Sequence, residues 1–197
     1  MRELSTDGGA GAIYQADIRS GLEIQAMIDA VLDRQDRLDV LVCNAGVASS
    51  HLVLRCPEDE WLRIIDTNLT GTYRCLTAVA PLMIKQGGGS IIVVGSYAGL
   101  HGASGQAAYA ASKAGLVGLV QTAAREWGPH NVRVNLVCPG WQPTALASDA
   151  FPSTEQLSDH VLGRLSNLED VSRTICHLAQ LPGMSGQIVN LDSRILY

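Results

Sequence analysis

Short apolar runs alternate with longer stretches in which apolar residues recur every three or four positions, along nearly all of the 197-residue chain. The first kind predicts strands and the second helices. Residues 12–17 read as a short strand entered through a glycine turn at residues 8–11. Residues 22–34 read as a helix, with Leu22, Ile24, Met27, Ile28, Val31 and Leu32 at helical spacing. Residues 38–43 form a near-continuous apolar run, which predicts a central strand covered on both faces. Residues 57–85 predict a long helix with Trp61, Leu62, Ile65, Leu69, Tyr73 and Leu76 on one broad side. Pro57 suits its first turn, and a bend is expected near Gly71. A strand at 90–94, a helix at 106–127 and a strand at 132–137 follow. Beyond a loop around Phe151-Pro152-Ser153 come a helix at 168–181 and a strand at 187–191. This alternation predicts an α/β fold with a doubly wound parallel sheet, in one domain spanning residues 1–197.

Composition narrows the function classes. The apolar fraction of 47% suits a well-buried chain, and a formal charge of −5 without a basic stripe argues against nucleic-acid binding. Five widely spaced cysteines, Cys43, Cys56, Cys75, Cys138 and Cys176, suit reduced core thiols and a cytoplasmic setting better than a disulfide framework. No apolar run approaches the roughly 20 residues of a membrane helix, and the N-terminus has no signal-like stretch, so no membrane association is expected. The histidines are dispersed, without zinc-ligand spacing, so no metal site is expected either.

In open α/β sheets ligands bind beyond the carboxyl ends of the strands. Three expected strand ends deliver small or polar residues there: Asn44-Ala45-Gly46, Gly95-Ser96 and Pro139-Gly140. Taken singly these are ordinary turn residues. Tyr109 and Lys113 are sharper, because residues four apart stand on one face of a helix. They read either as a half-buried tyrosine beside a solvated lysine, or as an acid/base pair. A phenol ionises near pH 10 and needs about 4 kcal/mol in favour of its charged form to act near neutrality, and a nearby cation works in that direction. Such a tyrosine can give a proton to a carbonyl oxygen as hydride arrives, or take one from an alcohol as hydride leaves.

The string Asp39-Val-Leu-Val-Cys-Asn44-Ala-Gly46, Asn68 within Asp66-Thr-Asn-Leu-Thr-Gly-Thr, Gly95-Ser96-Tyr-Ala-Gly-Leu, Gln106-Ala-Ala-Tyr109-Ala-Ala-Ser-Lys113-Ala-Gly and Pro139-Gly140 together resemble the ordered motifs of short-chain dehydrogenases/reductases. Ser96 precedes Tyr109 by thirteen positions, the spacing usual in that family. The resemblance covers nearly the whole chain and is nearest to the 3-oxoacyl-thioester reductases. It implies a Rossmann-type sheet and NAD or NADP as cofactor. The substrate implied is a small or acyl-linked ketone/alcohol pair, and a homo-oligomer is implied, a dimer or homotetramer. Tyr109 would be the catalytic acid/base and Lys113 would lower its pKa and bond the nicotinamide ribose. Ser96 would orient the substrate oxygen, and Asn68 would hold a water of a proton relay. Asp17 and Ile18 would contact the adenine, Asn44, Ala45 and Gly46 would pass under its ribose, and Pro139, Gly140, Gln142 and Thr144 would face the nicotinamide. His101 and Trp141 are further candidates for the substrate pocket, and residues 145–165 for its lid.

The pattern also departs from the family. The first strand, the Gly-rich turn and the next helix and strand expected ahead of Asp17 do not appear, so the fold is expected to lack the first β-α-β unit. Gly8-Gly9-Ala10-Gly11 does not replace that turn, since a phosphate-binding loop follows a strand and opens a helix. The residue that selects NAD or NADP would lie in the same unit. Cys43 stands where asparagine is usual, and Asn190-Leu-Asp-Ser-Arg194 where a Gly-rich end is common. Asp17 also reads as a turn-capping carboxylate and Asn68 as an ordinary polar helix residue. An alternative of another class is a catalytically inactive truncated homologue acting as an oligomeric or scaffold subunit.

Overall fold

The computed structural model describes residues 2–6, 9–142 and 156–195. In chain order its elements are β1 (Arg2–Thr6), β2 (Gly9–Ile13), α1 (Gly21–Leu32), β3 (Val40–Cys43), α2 (Glu58–Ile65), α3 (Thr72–Lys85), β4 (Gly89–Val94), α4 (Tyr97–His101), α5 (Ala107–Trp127), β5 (Val132–Cys138), α6 (Leu168–Gln180) and β6 (Ile188–Asn190). The last four strands form a parallel sheet in the order β3-β4-β5-β6, with Val42 beside Ile92 and Ile92 beside Asn135.

Successive strand residues face opposite sides of this sheet, and two apolar layers result. Ile91, Val93, Val134 and Leu136 pack on one side against Ile28 of α1, Leu76 and Val79 of α3, and Leu116 and Val120 of α5. Ile92 and Val137 pack on the other against Leu178 of α6, with Val94, Ile175 and Val189 around them. Burial on both faces explains why β4 and β5 read as continuous apolar runs. Helix α6 is held at both ends. Asn167 caps its start by accepting from the Glu169 amide at 2.8 Å, and the Arg133 guanidinium from β5 donates to the carbonyls of Leu178, Ala179 and Leu181 at its end. No described helix is long and apolar enough to cross a membrane.

Two expectations are corrected. Residues 12–17 are not a strand of the parallel sheet: β2 pairs antiparallel with β1 in a separate two-stranded sheet, Thr6 opposite Gly9, and residues 14–17 lie outside it. Local pairing across a two-residue connection closes a far smaller loop than a crossover connection would. Strand β3 is not central. It is the sheet's edge, with no further strand pairing on its outer side among the described residues. Leu41 and Cys43 pack into the α1/α3/α5 layer, but Val40 and Val42 are 43% and 41% exposed on the other face, over which α6 does not extend.

The long helix expected at 57–85 is divided into α2 and α3 by a segment that ends at Gly71. α2 and α3 are joined by a π-helical turn, Asp66–Gly71, which inserts a wider loop into the hydrogen-bond ladder. Gly71 admits Ile18 there: a side-chain carbon at this position would stand 2.9 Å from Ile18 Cδ1 and Cγ1.

Candidate active site

The carboxyl ends of β3, β4 and β5 open toward the start of α5, and the residues singled out from sequence gather there. Ser96 follows β4 and caps α4, its Oγ accepting from the Ala98 amide at 3.2 Å. Tyr109 stands in the first turn of α5, where the Ser96 side chain favours the ionised form of its phenol. One turn further on, Lys113 is 6% exposed. Its Nζ donates to the Val94 carbonyl at 2.7 Å and lies 5.8 Å from the centre of the Tyr109 ring.

Burial dominates both ionisations. It pulls the Lys113 ammonium down to about 8 and pushes the Tyr109 phenol above its ordinary value, with the nearby Ser96 side chain offsetting part of that rise. The lowering of Tyr109 expected from Lys113 is thus corrected. The ammonium is aimed at a strand-end carbonyl, not at the phenol oxygen, and desolvation is left as the largest influence.

Asn68 lies in the π turn and is completely buried. Its Nδ2 donates to the Val47 carbonyl at 2.9 Å and to Ser112 Oγ at 3.0 Å, and its Oδ1 accepts from the Val47 amide at 2.8 Å. Ser112 in turn donates to the Tyr109 carbonyl at 2.7 Å. The Asn68 side chain therefore ties the segment after β3 to α5 just beneath the tyrosine. Its carboxamide is committed to these protein partners, and its main-chain carbonyl accepts from Thr72 Oγ1.

Asn44 and Ala45 are exposed, and Gly46 sits against the centre: the space its side chain would fill is 3.2 Å from Asn68 Oδ1 and 3.7 Å from Lys113 Nζ. Asp17 and Ile18 are not free side chains. Asp17 is clamped by Arg19, whose guanidinium hydrogen bonds hold the carboxyl at about 2, and Ile18 is packed under Gly71. The Pro139 carbonyl accepts from Gln142 Nε2 at 3.0 Å and Ser166 Oγ at 2.7 Å. The Gln142 side chain thus braces the loop after β5, with its buried Oε1 lacking a hydrogen-bond partner. Gly140 takes a φ of 74° and lies where a side-chain carbon would be 2.6 Å from Asp192 Cβ, so only glycine suits it. Thr144, and residues 145–155 of the expected lid, lie outside the described residues.

Sequence reasoning missed one arrangement beside Ser96. The Tyr97 ring is stacked by His101, ring centres 4.4 Å apart, and by the Arg194 guanidinium 3.6 Å from its centre. Arg194 is held by Asp192, whose side chain is fully buried and accepts from the Arg194 amide at 2.9 Å and Nε at 2.8 Å. Burial pushes the Asp192 carboxyl up, but these hydrogen bonds outweigh it and leave it below the ordinary range. The only signal was the unusual tail, Asn190-Leu-Asp-Ser-Arg194. Among the described residues no group of His, Cys, Asp and Glu is placed to hold a metal ion. A depression of about 290 Å³ bounded by Arg37, Asp39, Gly88 and Arg133 lies at the opposite, amino end of the strands.

A family model described as enoyl-(acyl carrier protein) reductase matches residues 1–193. A 3-oxoacyl-[acyl-carrier-protein] reductase of Synechocystis sp. is 38% identical over 196 residues, covering 98% of this chain and 78% of that protein. The chain belongs to the short-chain dehydrogenase/reductase family. Its members are NAD(P)-dependent oxidoreductases, and this chain is one by descent. A second 3-oxoacyl-[acyl-carrier-protein] reductase, of Staphylococcus epidermidis, is 35% identical over 198 residues, 98% of this chain and 80% of that one. The crystal structure of an NAD⁺-bound xylitol dehydrogenase has a TM-score of 0.84 at 25% identity, covering 91% of this chain and 77% of the other. The parallel sheet with helices on both faces is therefore the family's fold in this short-chain dehydrogenase/reductase.

Proposed function

We propose that this chain reduces a 3-oxoacyl thioester, or oxidises the corresponding 3-hydroxyacyl thioester, with NAD or NADP as the hydride partner. The observation that carries the reading is the gathering of Ser96 after β4 and Tyr109 in the first turn of α5, with the buried Lys113 one turn away, at the carboxyl ends of the strands. The named activities of the similar reductases support the thioester.

The residues present fit a nicotinamide nucleotide. Lys113 is a buried ammonium with three donors and Val94 O as its partner, which leaves donors for ribose hydroxyls. Asn44 and Ala45 offer exposed backbone beside it, and the closely packed Gly140 keeps the floor after β5 low. Bound there, the nicotinamide supplies or accepts the hydride. Ser96 donates to the substrate carbonyl oxygen and fixes its orientation. Tyr109 gives the proton that this oxygen needs as it becomes an alkoxide, and takes it back in the reverse direction. Asn68 and Ser112 hold the first turn of α5 in register with the end of β3, so the tyrosine stays in reach of Ser96. In this reading Asp17, Ile18, Pro139, Gln142 and Thr144 border the cofactor groove, with the side chains of Asp17, Ile18 and Gln142 engaged within the protein.

The groove between α3 and α5, about 490 Å³ and lined by Tyr73, Leu76, Pro81, Leu119 and Trp127, packs in this reading on a second copy of the chain, which gives a dimer or tetramer.

The test is turnover of acetoacetyl-coenzyme A with NADH and with NADPH by the purified protein and by Tyr109→Phe. We expect consumption of one reduced nucleotide by the parent, a loss of about a hundredfold or more in kcat in the variant, in line with the typical worth of a positioned acid/base, and an unchanged circular dichroism spectrum. Equal rates in the two proteins would remove Tyr109 from the chemistry. An oligomer that neither binds nor oxidises either nucleotide would favour the non-catalytic subunit.

A further inference from the structure

The tail that follows β6 reaches back to α4, the short helix that Ser96 caps. Main-chain contacts set its course. The Leu191 amide donates to the Cys138 carbonyl at 2.9 Å, and Ser193 and Arg194 run beside residues 160–162, where the Val161 amide donates to the Ser193 carbonyl at 3.2 Å. Asp192 stands against Gly140 in the loop after β5. Its fully buried carboxylate accepts from the Arg194 amide and Nε, and the Arg194 side chain is only 11% exposed. The guanidinium held in this way lies 3.6 Å from the centre of the Tyr97 ring, which His101 also stacks. Helix α4 has a second anchor in α5, because Gly99 lies so close that a side-chain carbon there would be 2.7 Å from the Lys113 main chain.

We propose that Arg194 is a positioning residue, which through Tyr97 fixes α4 and with it the direction of the Ser96 hydroxyl; the proposal rests on the role given to Ser96 above. Ser96 Oγ accepts from the Ala98 amide in the first turn of α4, so a shift of that turn swings the hydroxyl, whose own proton stays free for a substrate oxygen. Tyr97 lies between these two residues in the chain, and a displaced ring is felt at both. Asp192 makes the stack possible, since a guanidinium this deeply placed needs a hydrogen-bonded counter-charge. The planar fork of arginine can bond Asp192 and lie over a ring together, which the point charge of lysine cannot do. A glycine at this position, as in the Gly-rich end common in the family, offers Tyr97 no partner. The ion pair therefore links the loop after β5 to the helix after β4.

The experiment compares the whole protein with Asp192→Asn/Arg194→Met, which removes both charges together, and with Tyr97→Leu and Tyr97→Phe. Tyr97→Leu leaves the ion pair intact and serves should the double variant not fold. Amide exchange followed by NMR reads the Ala98 and Gly99 amides, which bond Ser96, against those of Ile92 and Val93 in β4. Exchange at Ala98 should quicken about tenfold or more in the double variant and in Tyr97→Leu, and keep the parent's rate in Tyr97→Phe, with the β4 amides unchanged. In turnover of acetoacetyl-coenzyme A the double variant should lose about tenfold in kcat at an unchanged KM for the nucleotide. The same change should cost less than about twofold when Ser96 is already alanine, because Arg194 acts through it. Ala98 exchange alike in every variant, quickening matched by Ile92 and Val93, or equal losses in kcat with and without Ser96 each overturn the proposal. A parent that turns over nothing defeats the hydride-transfer reading instead, and the exchange rates still decide whether Arg194 holds α4.

Discussion

Asn68 ties two elements of the candidate site together through its side chain. Its three hydrogen bonds hold both polar groups of Val47 and the hydroxyl of Ser112 inside the fold. Truncation leaves the half-buried Val47 amide and carbonyl without those partners, and an orphaned buried group costs about 1–3 kcal/mol. Asn68→Ala should therefore lose about 3 kcal/mol in urea unfolding with an unchanged slope, and a loss under about 1 kcal/mol would contradict the tie. Lys113 makes a prediction in pH. Burial takes it from an ordinary 10.5 to about 8, so between these values the unfolded chain holds the extra proton and stability rises with pH. Below about 8 both states are protonated and the folded one carries the full desolvation penalty. The stability of the parent relative to Lys113→Met should thus climb by roughly 3 kcal/mol from pH 8 to pH 10.5. A flat difference across that window would mean that the ammonium is not held in a low-dielectric site.

The elements that frame the site differ in how plainly the sequence announced them. Strands β4 and β5 were legible because both faces are buried and the runs are continuous. The long helix was legible in its period. The π turn itself was not readable, nor was the approach of Ile18 to Gly71, fifty-three positions later in the chain. Gly71→Ala should cost about 1–3 kcal/mol by overpacking against Ile18. Combined with Ile18→Ala it should cost less than the two single losses added, because the clashing carbons are gone. Strict additivity in thermal or denaturant unfolding would show that the two residues do not meet. Strand β2 was misjudged although a signal was present: Asp7-Gly8 is a strong two-residue hairpin dipeptide, and it lies between the paired strands β1 and β2.

At the scale of the molecule, the sequence located the chemistry better than the framework. Tyr109 and Lys113 were singled out by their helical spacing, and Ser96, an ordinary strand-end residue by itself, by the resemblance to the family's motifs. The Asp192 and Arg194 clamp on Tyr97 was not, because nearly a hundred residues separate its halves and only packing of β6 beside β5 unites them. The place of β3 was likewise invisible, as an apolar run says that a strand is coverable, not that it is covered. The proposed function gives one chemistry to the gathering of Ser96, Tyr109 and the buried Lys113 at the carboxyl ends of a parallel sheet: hydride transfer to a carbonyl whose oxygen Tyr109 protonates. The most direct test is a single-turnover incubation with acetoacetyl-coenzyme A and NADH or NADPH deuterated at C4 of the nicotinamide, with the product examined by mass spectrometry. The account predicts one deuterium on the new carbinol carbon and none in the same incubation of Tyr109→Phe. A 3-hydroxyacyl product carrying only solvent hydrogen, or no product at all from either nucleotide, would contradict it.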